Sequence, residues 1–439
     1  MPAQVECRAQ RCRLTYTGKK TPQLLLLSQS AVNELLLKLR DQLKRVHFVA
    51  KVNGMWKARQ LRRGLAQLRR DYSAAAAAKG IEYLEEVALA TTRAKLRRNA
   101  NAGDTDVRRL RVFWVGANLD QDRSGFLQAL ERACNVTCFY NFKGEYGLWY
   151  KDTHGRTRVY DPEIVALNDK ALLDQVRAAG LAGGIDVLMG QMWSNYLSSE
   201  ALSHIRSLGV PVINVSMDDR LPDNWGSQDG CRLGAVGLAG ATDLVLTTTA
   251  EACLWYAVEG CPAIFWPLAS DPGVFSPPEN EARDIDVLFV GNRYGIRARI
   301  VDYLTAHGIP VSCWGGGWPN GYASAAQCAA LFKRARIILG IGTVGYCDDV
   351  YTLKLRDFDA PMAGAMYVTH RNPDLTALYR EGEEIVCYQD ERECADVIRH
   401  YLSNPEQRIA VARAGWRKAV SRDNWDHRIA ETFHKVGLI

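Results

Sequence analysis

The sequence predicts an α/β protein with two doubly wound, Rossmann-like domains in tandem, preceded by a helical extension. From Leu110 onward, short apolar segments alternate with helical patterns, as in a parallel sheet that is covered on both faces. The alternation stops in a segment rich in Pro and Asp at about 268–280 and starts again at Asp286. We therefore predict domains over residues 109–268 and 269–439, with the last helix crossing back to the first domain.

Residues 1–108 are predicted to form the basic, mainly helical extension. Gly54 is expected to interrupt the helical pattern, and a third helix is expected from about Ala74 to Arg98. Residues 1–109 contain 23 Lys and Arg but 9 Asp and Glu, whereas the whole 439-residue chain has a net charge of +6. These charges favour a solvated helical face or a helical appendage that packs on the rest of the chain. Binding to an anionic membrane is the second possibility. Nucleic acid is the least favoured, because few aromatic residues accompany the charges.

Several classes of protein are disfavoured by what the sequence lacks. It contains no run of 18 apolar residues and no signal-peptide pattern, which predicts a cytoplasmic protein, peripheral at most to the inner membrane face. The twelve cysteines show no C-x-x-C spacing, so we expect reduced thiols and no metal site. The turn Val290–Arg293 after the first strand of the second domain is not a G-x-G-x-x-G fingerprint, which disfavours nicotinamide binding, and no Walker A sequence is present, so we expect no resident cofactor.

Glycines and polar residues follow the predicted strands of the second domain, where a doubly wound fold binds its ligands. Glycine permits the backbone to approach a ligand closely. The predicted ligand-binding residues at these strand ends are Gly291, Asn292, Arg293, Arg297, Gly315, Gly316 and Gly342.

The segment 351–368 predicts a helix start, a short helix and a buried strand. Lys354, Arg356 and Asp359 are close together where the helix begins. A helix N-terminus favours an anion, and two added cations make a phosphate or diphosphate the expected ligand. A nearby carboxylate can accept hydrogen bonds from sugar hydroxyls.

The stretch from Arg356 to Ala365 reads Arg-Asp-Phe-Asp-Ala-Pro-Met-Ala-Gly-Ala. It resembles the R-x-F-E-A-x-A-x-G-A segment of the CgeB-like (spore-maturation-protein-like) glycosyltransferases, which have the GT-B fold of two Rossmann-like domains. The resemblance extends from about Leu110 to the C-terminus. Its other segments are Thr247–Ala250, Ala269–Pro272 with Phe275, Asp286–Asn292 with Arg297, and Trp425–Arg428.

The resemblance implies transfer of a sugar from a nucleotide-diphosphate sugar that is bound mainly by the C-terminal domain. Lys354 and Arg356 would hold the diphosphate, and Arg356 would stabilise the leaving group without a metal ion. Asp359 stands where the family has a glutamate that contacts the ribose. Some retaining relatives have a second acid at the position of Tyr351, so the stereochemical outcome stays open.

An inverting reaction would need a general base from the first domain. Asp218 or Asp219, after the strand at 210–215, is the favoured candidate, and Asp120 and Asp122 are others. The residues expected on the acceptor side are Gly116, Asn118, Asp120 and the segment Gln191–Trp193. An envelope glycan or a lipid-linked glycan is the favoured acceptor, followed by modified DNA or a protein.

Two other functions remain open at this point. A binding or scaffold protein without catalytic activity could keep the same fold, and the aspartate at 359 is consistent with it. A nucleotide-sugar epimerase shares the two-domain architecture.

Overall fold

A computed structural model of the chain describes residues 29–99, 110–148, 160–279 and 283–439, with side chains from residue 52 onward except at 97–99. The chain divides into two compact units, Met1–Asn53 and Gly54–Ile439. Both parallel sheets and the candidate site belong to the second unit.

The extension contains two described helices, α1 (Gln29–Lys79) and α2 (Glu85–Asn99). The expected interruption at Gly54 and the expected helix start at Ala74 are both wrong, because α1 continues through both positions. A glycine inside a helix costs about 1 kcal/mol relative to alanine. Here packing compensates, since a Cβ at Gly54 would lie 2.7 Å from the ring of Tyr346. The helix ends only before Gly80, which has a positive φ of 64°.

The strands of the first domain are β1 (Arg111–Val115), β2 (Asn135–Cys138), β3 (Val187–Gly190), β4 (Val212–Ser216), β5 (Ser227–Gln228), β6 (Cys231–Arg232), β7 (Leu244–Thr247) and β8 (Ala263–Phe265). Six of them form a parallel sheet with the strand order β2-β1-β3-β4-β7-β8. The other two, β5 and β6, form a hairpin that follows β4. The helices are α3 (Leu119–Asp122), α4 (Phe126–Ala133), α5 (Pro162–Leu181), α6 (Ser199–Ser207) and α7 (Ala252–Val258). The central strands are buried along their length, as their apolar sequences predict.

The second domain repeats this plan. Its strands are β9 (Ile285–Val290), β10 (Ser312–Trp314), β11 (Ala335–Gly340), β12 (Met366–His370) and β13 (Val386–Tyr388). They form a five-stranded parallel sheet in the order β10-β9-β11-β12-β13. The helices are α8 (Arg297–Ala306), α9 (Ala325–Arg334), α10 (Arg356–Met362), α11 (Pro373–Thr376), α12 (Glu391–Ser403), α13 (Pro405–Arg422) and α14 (Trp425–Val436). The predicted α/β architecture of two doubly wound sheets is therefore confirmed.

The last helix, α14, packs against the first domain. The ring of Trp425 lies 5.1 Å from that of Phe126 and 5.4 Å from that of Trp266. Trp266 Nε1 also donates a hydrogen bond to Thr432 Oγ1 at 2.8 Å. The two domains are thus joined by α14 as well as by the chain between β8 and β9.

None of the described helices is long and apolar enough to cross a membrane. The cysteines within the described ranges, from Cys134 to Cys394, are all free thiols.

Candidate active site

Two glycine-containing turns, which follow β9 and β10, interlock at the carboxyl edge of the second sheet. Gly291 N donates to the carbonyl oxygen of Trp314 at 2.7 Å, and Arg293 N donates to that of Gly316 at 2.8 Å. Gly316 N in turn donates to Asn292 Oδ1 at 2.9 Å. A Cβ at Gly315, whose φ is +129°, would lie 2.5 Å from the carbonyl carbon of Gly291. The sequence therefore needs glycine here for the two turns to meet.

Two guanidinium groups converge on Gly291. A Cβ added to that glycine would lie 3.2 Å from Arg356 Nη1 and 3.3 Å from Arg297 Nη1. Arg356 Nη1 donates to the carbonyl oxygen of Val290, and Arg297 Nη1 donates to that of Asn292 at 3.1 Å. Neither arginine forms an ion pair with any carboxylate among the described residues. Arg356 Nε and Nη2 and Arg297 Nε are buried and lack a hydrogen-bond partner in that same part of the chain.

Aromatic rings support both cations. The guanidinium of Arg356 lies 5.0 Å from the ring centre of Phe289, and that of Arg297 lies 4.3 Å from that of Tyr294. Burial, and then the neighbouring charge of Arg356, lowers the pKa of Arg297 to about 10. Arg297 is buried, Arg356 is half-buried, and neither has an ion-pair partner in the described part of the chain, so the two cations suit an anion with more than one negative charge.

A third cation, Lys354, meets the first domain. Its Nζ lies 3.0 Å from Oδ1 of Asp218, in the turn after β4. Asp218 has a φ of +60°, a left-handed conformation that aspartate tolerates better than most residues. Burial acts to raise the pKa of Asp218, but the Lys354 ammonium outweighs it, so this pKa lies below its usual value. Asp218 is therefore a carboxylate held at the cleft.

The neighbouring Asp219 is placed very differently. It is buried and accepts hydrogen bonds from Ser216 Oγ at 2.7 Å, Thr247 Oγ1 at 2.5 Å and Tyr256 OH at 2.9 Å. Burial raises its pKa, and the adjacent Asp218 charge adds to this effect. These contacts stabilise the turn that presents Asp218, so the geometry favours Asp218 as the reactive group of the two.

Asp359 lies inside the second domain near the linker. Its Oδ1 accepts a hydrogen bond from Ser270 Oγ at 2.7 Å, and the residue is 6 % exposed. Burial raises its pKa well above the usual value. A carboxyl group that keeps its proton can donate a hydrogen bond as well as accept one.

Two cavities meet at the cleft. The cation cavity, of about 420 Å³, is lined from the second domain by Gly291, Asn292, Gly315, Arg356 and Asp359. The amide cavity, of about 330 Å³, is lined by Gln191, Trp193, Asn195, Asn224 and Asp218 of the first domain. Gln121 borders both cavities and donates to Gln191 Oε1 at 2.7 Å.

Of the residues predicted for the acceptor side, Gln191 and Trp193 line the amide cavity, whereas Gly116, Asn118 and Asp120 do not. Asn118 and Asp120 border the cation cavity, where Asp120 accepts a hydrogen bond from Tyr322 OH of the second domain at 2.9 Å. Gly116 is buried, and a Cβ there would lie 2.1 Å from Asp122 Oδ2. Gly342 accepts a hydrogen bond from Thr352 N at 3.1 Å at the base of a hairpin.

Several residues that border the cleft carried no recognisable sequence signal. Gln121 is in the short helix α3, Asn224 is in a single 3-10 turn after β4, and Tyr322 is in the loop after β10. The ends of β1 and β4 would have been the signal to follow, because residues just beyond the strand ends line such a cleft.

A larger cavity of about 980 Å³ lies at the other edge of the second sheet. It is bordered by Asp284, Arg336 and Gly364, which lie at the starts of β9, β11 and β12. Ligands of doubly wound sheets bind at the carboxyl ends of the strands, so this cavity is not the candidate site. No group of three or more His, Cys, Asp or Glu side chains suited to a metal ion occurs in the described ranges.

Comparisons with known proteins agree with this architecture. Residues 297–434 match a family model described as "Glycosyl transferase-like". Sucrose-phosphate synthase from Thermosynechococcus elongatus superposes with a TM-score of 0.52 over 75% of this chain and 99% of its own, at 13% identity. HepE from Anabaena, solved with UDP and glucose, gives a TM-score of 0.52 over 74% and 99%, also at 13% identity. A glycosyltransferase from Rickettsia africae gives 0.50 over 75% and 98%, at 8% identity.

A search of curated proteins by sequence gave no match. The structural likenesses show that the chain has the GT-B fold, the two-domain architecture of many glycosyltransferases. The matched segment, 297–434, contains Arg297, Lys354, Arg356 and Asp359.

Proposed function

We propose that the protein is a glycosyltransferase that uses a nucleotide-diphosphate sugar as its donor. The observation that carries the proposal is the pair of unpaired guanidinium groups of Arg297 and Arg356 at the Gly291 turn. The glycosyl transferase-like match covers these residues, and the HepE structures contain UDP and UDP-glucose. The CgeB-like subfamily remains our proposal from the motif at 356–365.

The charges of the site fit a diphosphate. Arg297, Lys354 and Arg356 supply three positive charges, and Asp218 removes one, which leaves two. The diphosphate of a nucleotide sugar carries two negative charges. Cations placed where negative charge develops on the leaving group are a large source of catalysis. Because these three side chains supply that charge, we propose that the reaction needs no divalent metal and proceeds in EDTA.

Asp218 is the proposed general base. It would take the proton of an acceptor hydroxyl while that oxygen forms a bond to the anomeric carbon of the donor. The bond between that carbon and the diphosphate oxygen breaks at the same time, and the diphosphate leaves with the electron pair. Lys354 contacts Asp218 at 3.0 Å, so a diphosphate that attracts Lys354 would free this carboxylate for the proton. This sequence of events inverts the anomeric centre.

We propose a glycan as the acceptor, including one linked to a lipid. The amide cavity presents side-chain amides and an aromatic ring, from Gln191, Asn224 and Trp193, beside the proposed base. Amides exchange hydrogen bonds with sugar hydroxyls, and an indole ring packs on the apolar face of a sugar.

We also propose a peripheral contact with anionic membranes. Met55 and Trp56 of α1 are 65% and 56% exposed, and Lys57 and Arg59 are exposed on the same helix. Exposed apolar residues beside basic residues suit the interface of an anionic bilayer.

The test of donor binding is a thermal-shift screen against UDP, GDP, CDP, ADP, dTDP and their sugars. A ligand at one hundred times its Kd adds about 2.7 kcal/mol to the free energy of unfolding. We expect one nucleotide family to stabilise the protein and Arg356→Ala to abolish that effect. Arg392→Ala, an exposed arginine on α12, is the matched control and should bind normally.

Turnover of the identified donor separates the enzyme from its alternatives. A glycosyltransferase hydrolyses the nucleotide sugar slowly without acceptor, whereas a scaffold protein binds it unchanged and an epimerase returns an altered sugar. Stabilisation by no nucleotide in the panel would contradict the proposed function.

A further inference from the structure

The chain between β11 and α10 forms a hairpin, residues 342–352, which we call the donor hairpin. Thr343 and Tyr351 form an antiparallel bridge, and Val344 N donates to the carbonyl oxygen of Val350 at 2.9 Å. The hairpin ends two residues before Lys354 and four before Arg356. Its position therefore determines where the proposed diphosphate-binding segment begins.

The tip of the donor hairpin rests on helix α1 of the extension. The ring of Tyr346 fills the space beside Gly54, and Cys347 Sγ lies 3.5 Å from the carbonyl oxygen of Ala58. One turn further along α1, Arg62 Nε donates to Asp349 Oδ1 at 2.7 Å, and Arg62 Nη2 donates to Asp348 Oδ1 at 2.5 Å. Arg62 thus binds two successive carboxylates at the tip.

The same helix is fixed to the first domain. Its Tyr72 ring lies 5.1 Å from Trp225 and 5.8 Å from Trp255, and Arg69 forms an ion pair with Glu251 at 2.7 Å. Leu65 is buried between these contacts and the hairpin contacts. Helix α1 therefore holds a loop of the second domain against a support on the first.

The donor hairpin also contacts the other side of the candidate site. The carbonyl oxygen of Gly345 accepts a hydrogen bond from Ile296 N at 2.9 Å, immediately before Arg297 at the start of α8. The carbonyl oxygen of Tyr351 accepts one from Arg220 Nη1 at 3.1 Å. A shift of the hairpin would thus disturb both the Arg297 end and the Lys354 end of the site.

We infer that Arg62 is a positioning residue, which orders the donor hairpin and through it the cations that bind the donor. The role of the hairpin in donor binding rests on the proposed function, but the hold of Arg62 on the hairpin does not. A basic residue of the extension, which lies far from the site in sequence, thereby contributes to donor affinity.

The first test measures backbone hydrogen exchange in Arg62→Ala. Exposed ion pairs are individually weak, so loss of both should speed exchange in the peptide 344–352 by about three- to tenfold. Arg63→Ala is the matched control, since Arg63 is the exposed neighbour and is not involved in the hairpin contacts. Equal exchange in the parent and Arg62→Ala, or an equal increase in both variants, would overturn the inference.

The second test measures affinity for the nucleotide diphosphate selected by the screen. Arg62→Ala should weaken it by about three- to tenfold, and Arg63→Ala should not. The double variant Arg62→Asp with Asp349→Arg exchanges the two charges and should restore both the affinity and the slow exchange. If Arg62→Ala acted only by lowering the overall stability, this double variant would not restore them. If no nucleotide binds even the parent protein, the proposed function fails. The hydrogen-exchange measurement would still decide whether Arg62 orders the donor hairpin.

Discussion

Lys354 and Asp218 form an ion pair across the cleft, with Nζ 3.0 Å from Oδ1, although they belong to different domains. Lys354 precedes α10 of the second domain, and Asp218 follows β4 of the first. The left-handed backbone of Asp218 is fixed because its carbonyl oxygen accepts hydrogen bonds from Leu221 N at 2.9 Å and Asn224 Nδ2 at 3.1 Å. One contact thus places the proposed base beside a proposed leaving-group cation.

The Lys354–Asp218 pair predicts that a substitution of Asp218 slows sugar transfer without weakening nucleotide binding. Asp218→Asn should lower the rate of sugar transfer by about 10²- to 10⁴-fold, the usual contribution of a general base. The affinity for nucleotide should be kept or increased, because Lys354 loses its competing carboxylate. The measurements are steady-state transfer and nucleotide titration on the same preparation.

The neighbouring residue, Asp219, should contribute to stability and not to the reaction. Asp219→Asn should lower thermal stability, since it disturbs three buried hydrogen bonds that are worth about 1 kcal/mol each. Asp218→Asn should leave stability nearly unchanged. Normal transfer by Asp218→Asn would exclude it as the base.

Gly291 provides a second prediction, because its missing Cβ leaves room between two guanidinium groups. Gly291→Ala should reduce nucleotide affinity, since the new methyl group would lie 3.2 Å from Arg356 Nη1 and 3.3 Å from Arg297 Nη1. The φ of +154° at this position adds strain of about 1–3 kcal/mol. Titration calorimetry with the selected nucleotide and thermal unfolding would measure the two effects.

Gly240→Ala is the control for that substitution. Among the described residues, and apart from its own neighbours along the chain, no atom lies within 4 Å of a Cβ at Gly240, so the affinity and stability of the variant should match those of the parent. A Gly291→Ala protein that binds nucleotide normally would contradict the placement of the anion between the two arginines.

The fold could be predicted because its signals are local. Strands such as Val287–Phe289 are apolar and buried on both faces, and the glycines that end them are required by short backbone contacts. The course of α1 was not predictable from Gly54 alone. Its continuation depends on the ring of Tyr346, almost 300 residues away in the chain.

The candidate site could also be predicted only where its features depend on local sequence. Arg297, Lys354 and Arg356 are recognisable because basic residues at helix starts after strands favour anions. The difference between Asp218 and Asp219 depends on Thr247 and Tyr256, which lie on later elements, and no local pattern encodes it. The burial of Asp359 against Ser270 likewise arises from the linker that joins the domains.

Asp122 predicts a pH dependence of stability. It is buried beside Trp114 Nε1 and Tyr146 OH, and burial raises its pKa from about 3.8 to about 6. The folded protein therefore binds this proton more tightly than the unfolded chain, so its contribution to stability falls as the pH rises from 4 to 6. Above pH 6 the loss is complete and amounts to about 3 kcal/mol.

Asp122→Asn should remove that contribution, because the amide stays neutral and its oxygen still accepts both hydrogen bonds. The variant should therefore gain stability relative to the parent between pH 4 and pH 6, as seen in thermal unfolding midpoints across this range. Asp120→Asn, on the exposed side of the same short helix, is the control. Parallel midpoint curves for the parent and Asp122→Asn would show that this carboxyl group does not titrate in that range.

The outward side of α1 predicts binding to anionic vesicles. Met55 and Trp56 are exposed, and each nearby Arg or Lys adds about 1 kcal/mol at an anionic surface. We expect the parent protein to sediment with vesicles that contain phosphatidylserine, to dissociate as the salt concentration rises, and to ignore neutral vesicles. The double variant Met55→Ser with Trp56→Ser should bind at least tenfold more weakly, since two apolar side chains each contribute about 1.5 kcal/mol or more when buried.

Leu181→Ser, which removes an 87% exposed leucine from α5, should bind like the parent. Equal binding by the double variant and the parent would show that charge elsewhere in the basic extension, and not this part of α1, makes the contact.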